Sequence, residues 1–309
     1  MKYLIPAAFV ALTALPAQAF DRMLRSDCQV TVQKIDELFH DLSGGMNDNQ
    51  LGKLLQSIRV TPQGWCQMRG GDQGLEDAEF DSFEWRAEGI TRWTRDGIPP
   101  LALELRVTGL DPDDMQAVEN TNRPPVSVHA VIRQLPETGQ LIVERAVMEN
   151  EAGDSLAVSG VFERVFLSSP SMMQTSVGSV TFKAALMTMT LDGTHENPFG
   201  FNVEVEMRGV PEAQRQAAFD AISSMPDGLM DDASRAELTA FSGDLPKPVG
   251  TLEVSVNSER GLGLMQIGMS AYRSFESSFD ENAQGNQFDI LFDGLTVEAN
   301  WSPAAQVAD

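Results

Sequence analysis

From Phe83 onward, apolar side chains recur at every second position, and a period of two is the geometry of a β-strand with one face turned inward. Phe83, Trp85, Ala87, Thr91 and Trp93 fall on one side of the first such segment, with Glu84, Arg86, Glu88 and Arg92 on the other. The alternation returns in Leu101, Leu103, Leu105 and Val107, and again in Val126, Val128, Ala130 and Ile132. Leu141, Val143 and Val147 continue it, followed by Leu156, Val158 and Phe162. Between these segments lie Asp96-Gly97, Pro136-Glu137-Thr138-Gly139 and Gly153-Asp154, turn residues at spacings short enough for hairpins. Successive antiparallel strands joined as a meander are the simplest topology for such a chain. Further strands are predicted over 180–191, 201–207, 251–256, 262–272 and 288–301.

A period of 3.6 replaces the alternation at three places. After Ser26, an N-cap residue, Cys28, Val32, Ile35, Leu38, Phe39 and Leu42 follow helical spacing up to Gly44-Gly45. A shorter helix follows Asp48, with Leu51, Leu54, Leu55 and Ile58 on one face, before Pro62 and Gly64. Residues 211–223 begin with a proline suited to a first helical turn and then set Ala213, Ala217, Phe219 and Ile222 to one side. A further helix is predicted over 232–241, after the one at 211–223, and 243–248 reads as a linker back into strands. The expected fold is α+β and mostly β, a large twisted antiparallel sheet with N-terminal helices and one or two covering helices.

The same spacing argument divides the chain. Residues 1–19 read as an export signal, 20–78 as a helical segment, 79–175 as a first β-rich half, and 176–309 as a second half with its helix near 211–223. Leu103 to Leu110 matches Val203 to Val210, 100 residues later, and each copy lies between prolines. Two halves built on one unit would explain the match.

The export signal consists of Lys2, an apolar run from Tyr3 to Leu15, and the small residues Ala17-Gln18-Ala19 where a signal peptidase cuts. Pro6 interrupts the run, which falls short of the roughly 20 residues a membrane span requires. Cleavage near Phe20 follows, and no later run is long enough to cross a membrane. Cys28, well inside the mature chain, is not placed for lipid attachment. A periplasmic or secreted protein is therefore expected.

Removing Lys2 changes the formal charge from −23 to −24, so the surface should repel phosphate backbones and nucleic acid is excluded as a partner. Cys28 and Cys66 are the two cysteines of the chain, and in an oxidising compartment such a pair forms a disulfide. Their spacing is not the Cys-x-x-Cys of a redox-active pair, so a structural bond is expected.

Residues for catalysis or cofactor binding are scarce. His40, His129 and His195 are isolated from one another and from ligand-type residues at metal spacing. Gly268-Met269-Ser270-Ala271-Tyr272 lacks the second glycine of a nucleophile elbow. Asp280, Asn282, Gln284 and Gly285 imitate half a calcium loop, which fails at Leu291 where a bidentate glutamate is required. No catalytic residue, metal site or cofactor is predicted, and an enzyme is not the expected class.

Two strand segments are apolar on both faces. Met187, Met189 and Leu191 alternate with Leu186, Thr188 and Thr190, and Met265, Ile267 and Met269 alternate with Leu264 and Gly268. Core packing on both sides accounts for this. So does one face turned toward an apolar ligand, a use to which the pliable methionine side chain is suited. Those six residues form the candidate binding face.

The run Gly153-Asp154-Ser155-Leu156-Ala157-Val158-Ser159-Gly160-Val161-Phe162, a Gly-Asp turn leading into an amphipathic strand, resembles the AsmA-like envelope proteins. The resemblance implies a long curved sheet whose apolar inner face handles lipid, and it brings no catalytic residue. The chain departs from that group in lacking its N-terminal membrane helix. The expected function is a non-enzymatic exported protein binding a lipid or other amphiphile on an apolar sheet face. The competing expectation is a scaffold or assembly factor that engages another envelope protein through a sheet edge, and an unrecognised enzyme is a third.

Overall fold

A computed structural model describes residues 20–43, 48–72, 80–110, 124–194, 211–226, 228–263 and 294–304. The fold is α+β and mostly β. Among the described residues, ten strands pair antiparallel in chain order into one open sheet: β1 (Arg59–Val60), β2 (Cys66–Arg69), β3 (Ser82–Glu88), β4 (Ala102–Leu110), β5 (Val126–Leu135), β6 (Gln140–Asn150), β7 (Ser155–Glu163), β8 (Thr181–Leu191), β9 (Gly250–Gly263) and β10 (Leu295–Pro303). Each described strand pairs with the next in sequence; short turns impose this between β5, β6 and β7, whereas α5 and α6 lie in the connection from β8 to β9. The β7–β8 pairing, Val158 opposite Met187, carries the sheet across residue 175 without a break.

Among the described residues, six helices accompany the sheet: α1 (Arg25–Ser43), α2 (Asp48–Ser57), α3 (Ile90–Asp96), α4 (Pro170–Ser179), α5 (Pro211–Ser224) and α6 (Asp232–Gly243). Asp27 in the first turn of α1 accepts the Leu24 N–H at 2.9 Å, and Asp231 caps α6 by accepting the Ser234 N–H at 2.8 Å. Arg235 of α6 donates to the carbonyl oxygen of Ile222 at 2.6 Å, satisfying the end of α5 and fixing the α5–α6 hairpin.

Expectations are corrected at several places. The alternation from Phe83 to Trp93 is a strand only as far as Glu88. Gly89, at φ 71°, turns the chain in a left-handed conformation that a side chain resists, and Ile90–Asp96 is helical. Asp96-Gly97 is accordingly the end of that helix and not a hairpin, since the Gly97 N–H returns to carbonyls of α3. In α1, Cys28 and Val32 are buried but Ile35 is 40% exposed, so the apolar stripe is not buried along its whole predicted length.

Leu262 and Gly263 extend β9 instead of opening a separate strand, and β10 begins at Leu295. The predicted strand over 201–207, the second repeat copy Val203 to Val210, and the calcium-like segment Asp280 to Gly285 lie outside the described residues. α4 was not anticipated. Its N-cap, Ser169, accepts the Met172 N–H at 3.3 Å.

The sheet register separates two faces. Cys66, Trp85, Leu105, Ala130, Ala146, Val158, Met187, Val254 and Ala299 form one continuous cross-strand row, running from β2 to β10. Beside it runs Met68, Phe83, Val107, Val128, Met148, Leu156, Met189, Leu252 and Trp301. Both rows are apolar throughout, so this face is the greasy one. The opposite face carries Glu84, Arg106, His129, Thr188, Glu253 and Asn300 in a single row, with Val147 and Ala157 among them.

Helices cover the apolar face at its two ends. On β2–β4, Met23, Val32, Leu54 and Ile58 pack with Cys66, Met68, Trp85 and Ala87. The Cys28–Cys66 bond fastens α1 to β2 there, with Cα atoms 5.5 Å apart. On β8–β10, Met225, Leu229, Met230 and Leu238 pack with Phe182, Val256, Leu295 and Val297. The outer edge of β10 is partly occupied: Val297 N–H donates to Leu229 at 2.8 Å and Trp301 N–H to Glu237 at 3.1 Å. The opposite edge, β1, is two residues long.

Candidate functional site

Between the two helical walls, the apolar face continues across β5, β6, β7 and β8. Val128, Ala146, Val158, Ala185 and Met187 are half-buried, and among the described residues none of them joins either helix-covered cluster. Their side chains make a strip of aliphatic and thioether surface with a helical pair at each end. Gly160 lies in it opposite Ala185, where a Cβ would meet the Ala184 carbonyl oxygen at 3.1 Å, so the β7–β8 pair is closely packed there and the strip is low. Phe162 and Phe182, with ring centroids 5.9 Å apart and edge to face, close one end of the strip.

The six candidate residues divide. Met187 faces the strip, opposite Val158 and Val254. Met189, two residues on, packs with Met148, Leu156 and Phe241 of α6 against buried Val126 and Leu191. Leu191 therefore belongs to the core at the strip's other end. Met265, Ile267 and Met269 lie outside the described residues. Val128, Ala146 and Val158 complete the strip around Met187. Val128 and Val158 stood in the alternating pattern but showed no excess over ordinary core positions, whereas Ala146 did not stand in it: the pattern named Val147, which the register shift after Val143 turns to the opposite face. Only register across four strands sets the three beside Met187.

The opposite face holds a charged cluster that reading along the sequence did not assemble. Glu104 of β4 is 4% exposed. Its Oε2 accepts from Arg86 Nε at 2.6 Å, and its Oε1 is 2.8 Å from His129 Nε2 and accepts from Arg106 Nη2 at 3.3 Å. Burial by itself would raise the Glu104 pKa. The hydrogen bonds to His129 and Arg86, with the charges of Arg86 and Arg106, outweigh it and hold the carboxyl below its ordinary value. Nearby, Arg133 donates to Glu144 and to Glu88, each at 2.6 Å. Desolvation opposes its charge, and these two carboxylates outweigh that, so its pKa is raised.

Aromatic rings tie the cluster together. The Arg106 and Arg86 guanidinium carbons lie 4.1 and 4.4 Å from the centroid of the Trp65 ring, which is 5% exposed. Arg86 is also 4.6 Å from the Phe20 ring, and Arg133 is 6.0 Å from it. The result is a series of rings and guanidinium groups in contact, running Arg106, Trp65, Arg86, Phe20, Arg133. Both Glu104 oxygens are committed within it, so the carboxylate works as a structural counter-ion.

Among the described residues, no group of three or more histidine, cysteine, aspartate or glutamate side chains is placed to hold a metal ion. No helix among them is long and apolar enough to cross a membrane. Neither a family model, nor a curated protein, nor a solved structure matches the chain.

Proposed function

We propose that this is an exported, non-enzymatic protein that seats the apolar part of a lipid or other amphiphile on the strip between its two helical walls. One observation carries the reading: an unbroken apolar row from β2 to β10 whose ends are covered by helices and whose middle, at Val158 and Met187, is only half-buried. Apolar area left half-buried over that length is costly in water, and contiguous apolar surface of this kind supports a binding role on a folded domain. A saturated acyl chain gives up about 0.8 kcal/mol per methylene buried, so a few carbons laid along the strip give useful affinity. The disulfide Cys28–Cys66 fits an oxidising compartment, the periplasm or the exterior, and supports the export part of the reading.

A partner added as an extra strand, the competing reading, finds less to pair with. β1 offers two residues, and two N–H groups on the outer side of β10 are already bound.

The test is native mass spectrometry with solvent extraction, on protein purified from its own host, followed by titration of the delipidated protein with a fluorescent fatty acid. The expected result is a discrete co-purifying amphiphile and saturable uptake of the probe. Protein that carries none and takes up none overturns the reading.

A further inference from the structure

We propose that α4, with the loop that leads into it, docks this protein on a membrane surface bearing anionic headgroups. The inference goes beyond the amphiphile on the strip and does not depend on it.

After residue 20, the longest run free of Asp, Glu, Lys, Arg and His is Val165 to Phe182, and Arg164 and Lys183 bound it. α4 lies inside this run, in the connection that carries β7 into β8. Its base is fastened. Glu163 pairs with Thr181 across the two strands, Ser179 Oγ donates to the Arg164 carbonyl oxygen at 3.2 Å, and Ser176 Oγ accepts the Phe166 N–H at 2.5 Å. These are backbone and hydroxyl contacts. No described side chain of α4 joins an apolar cluster of the sheet, and Met172 in its first turn is 37% exposed.

Charge is what normally holds a surface helix in water, because a charged side chain must shed its hydration to enter the headgroup layer. α4 has no charge to strip. Its serines, threonine and glutamine suit headgroup depth, and Met172, with half-buried Leu167 and Met173 beside it, supplies the apolar part. The flanking cations select the surface. Arg164 is exposed, and among the described residues no carboxylate ion-pairs with it or with Lys183, whose Nζ donates to the Glu259 carbonyl oxygen at 2.7 Å. Glu163 and Glu259 are the carboxylates nearest in sequence to these cations.

The acidity of the rest of the chain does not cancel that attraction. β8 is 11 residues long, so Asp192 and the turn bearing Glu151 lie about 35 Å away at its far end, against a Debye length of about 8 Å at physiological salt. An anionic surface instead turns that acidic end outward. Docking through α4 then sets Phe162 and Phe182, which close one end of the strip, next to the bilayer.

Flotation of the purified exported protein with vesicles tests this, using phosphatidylcholine alone and phosphatidylcholine with an equal part of phosphatidylglycerol. The parent is expected to bind the anionic vesicles about tenfold more tightly than the neutral ones. Met172→Glu should weaken that binding at least tenfold, and Met172→Ser, which adds no charge, about threefold, both melting with the parent. Arg164→Gln with Lys183→Gln should bring anionic binding down to the neutral level. A parent that floats with neither vesicle, a Met172→Glu protein that binds like the parent, or a double glutamine variant that keeps the preference for phosphatidylglycerol overturns the inference. Uptake of the fatty-acid probe is read in the same proteins, and its loss bears on the strip alone.

Discussion

Trp301 on β10 donates its indole N–H to the carboxylate of Asp244, the residue that ends α6, at 2.9 Å. Its ring meets Phe241 of the same helix edge to face, with centroids 5.1 Å apart. One side chain therefore fixes both the height and the rotation of the helix that closes the last strand.

Trp301→Phe keeps most of the packing and loses the hydrogen bond. Asp244 is exposed and recovers water, so the expected cost is about 1 kcal/mol. Trp301→Ala also empties a site that is 5% exposed, at about 3–5 kcal/mol. Denaturant unfolding measures both, and amide exchange in α6 should speed up in the alanine variant before exchange in β5 does.

The Cys28–Cys66 bond closes a loop with a sequence separation of 38, which corresponds to about 4 kcal/mol of restricted unfolded-chain entropy. A Cys28→Ala, Cys66→Ala double variant is expected to lose about that much, measured by denaturation against the oxidised parent. Both sulfur-bearing residues are fully buried, so dithiothreitol should reduce the native protein slowly and the urea-unfolded protein at once. Equal rates in the two states would place the bond at the surface and contradict its position under α1.

Glu104 makes the fold acid-sensitive. Its pKa is lowered in the folded state, so its contribution is fully present above the ordinary glutamate value of about 4.3 and is lost as the pH falls through the lower, folded value. Glu104→Gln keeps the shape but leaves Arg86 and Arg106 without their shared counter-ion, at an expected cost near neutral pH of about 2–3 kcal/mol. The difference between parent and variant should shrink as the pH falls from 5 toward 3. Unfolding free energies measured at intervals across that range test it, and a constant difference would mean that the carboxylate is not held ionised.

The strands were legible because a half-buried sheet writes its two faces into alternate residues, and the hairpins joining β5 to β6 and β6 to β7 kept those pairings local in sequence. The alternation misled at Thr91 and Trp93, because spacing of two also fits the first residues of a short helix and nothing in the pattern announces that Gly89 adopts a positive φ, and again at Val147, which a register shift after Val143 turns to the opposite face. α4 was missed because Ser169, Ser171, Thr175 and Ser176 give it no apolar stripe, and a serine cap signals a helix start only weakly. The Glu104 cluster was invisible for another reason. Arg86, Arg106 and His129 come from three strands, and their meeting depends on register, which sequence distance does not contain. The candidate methionines were legible only as an excess of apolar surface, and the separate fates of Met187 and Met189 follow from where α6 lies.

Those separate fates give the last prediction. Met189 touches the cluster around Val126, Leu191 and Phe241, so Met189→Ala should cost about 2 kcal/mol of stability through the cavity it leaves. Met187 is half-buried on the strip, with Val158 and Val254 as its cross-strand neighbours, so Met187→Ala should cost under about 1 kcal/mol. Ligand capture should order the pair the other way. Met187→Glu sets a charge where an acyl chain would lie, and burying that charge against hydrocarbon is expensive enough to weaken fatty-acid uptake at least tenfold. Met189→Ala should leave uptake within about a factor of two at temperatures where it is folded. Probe titration and thermal unfolding on the same three proteins separate a binding surface from a core. If Met187→Glu binds the probe like the parent, the strip is not the site of capture, whatever amphiphile the purified protein carries.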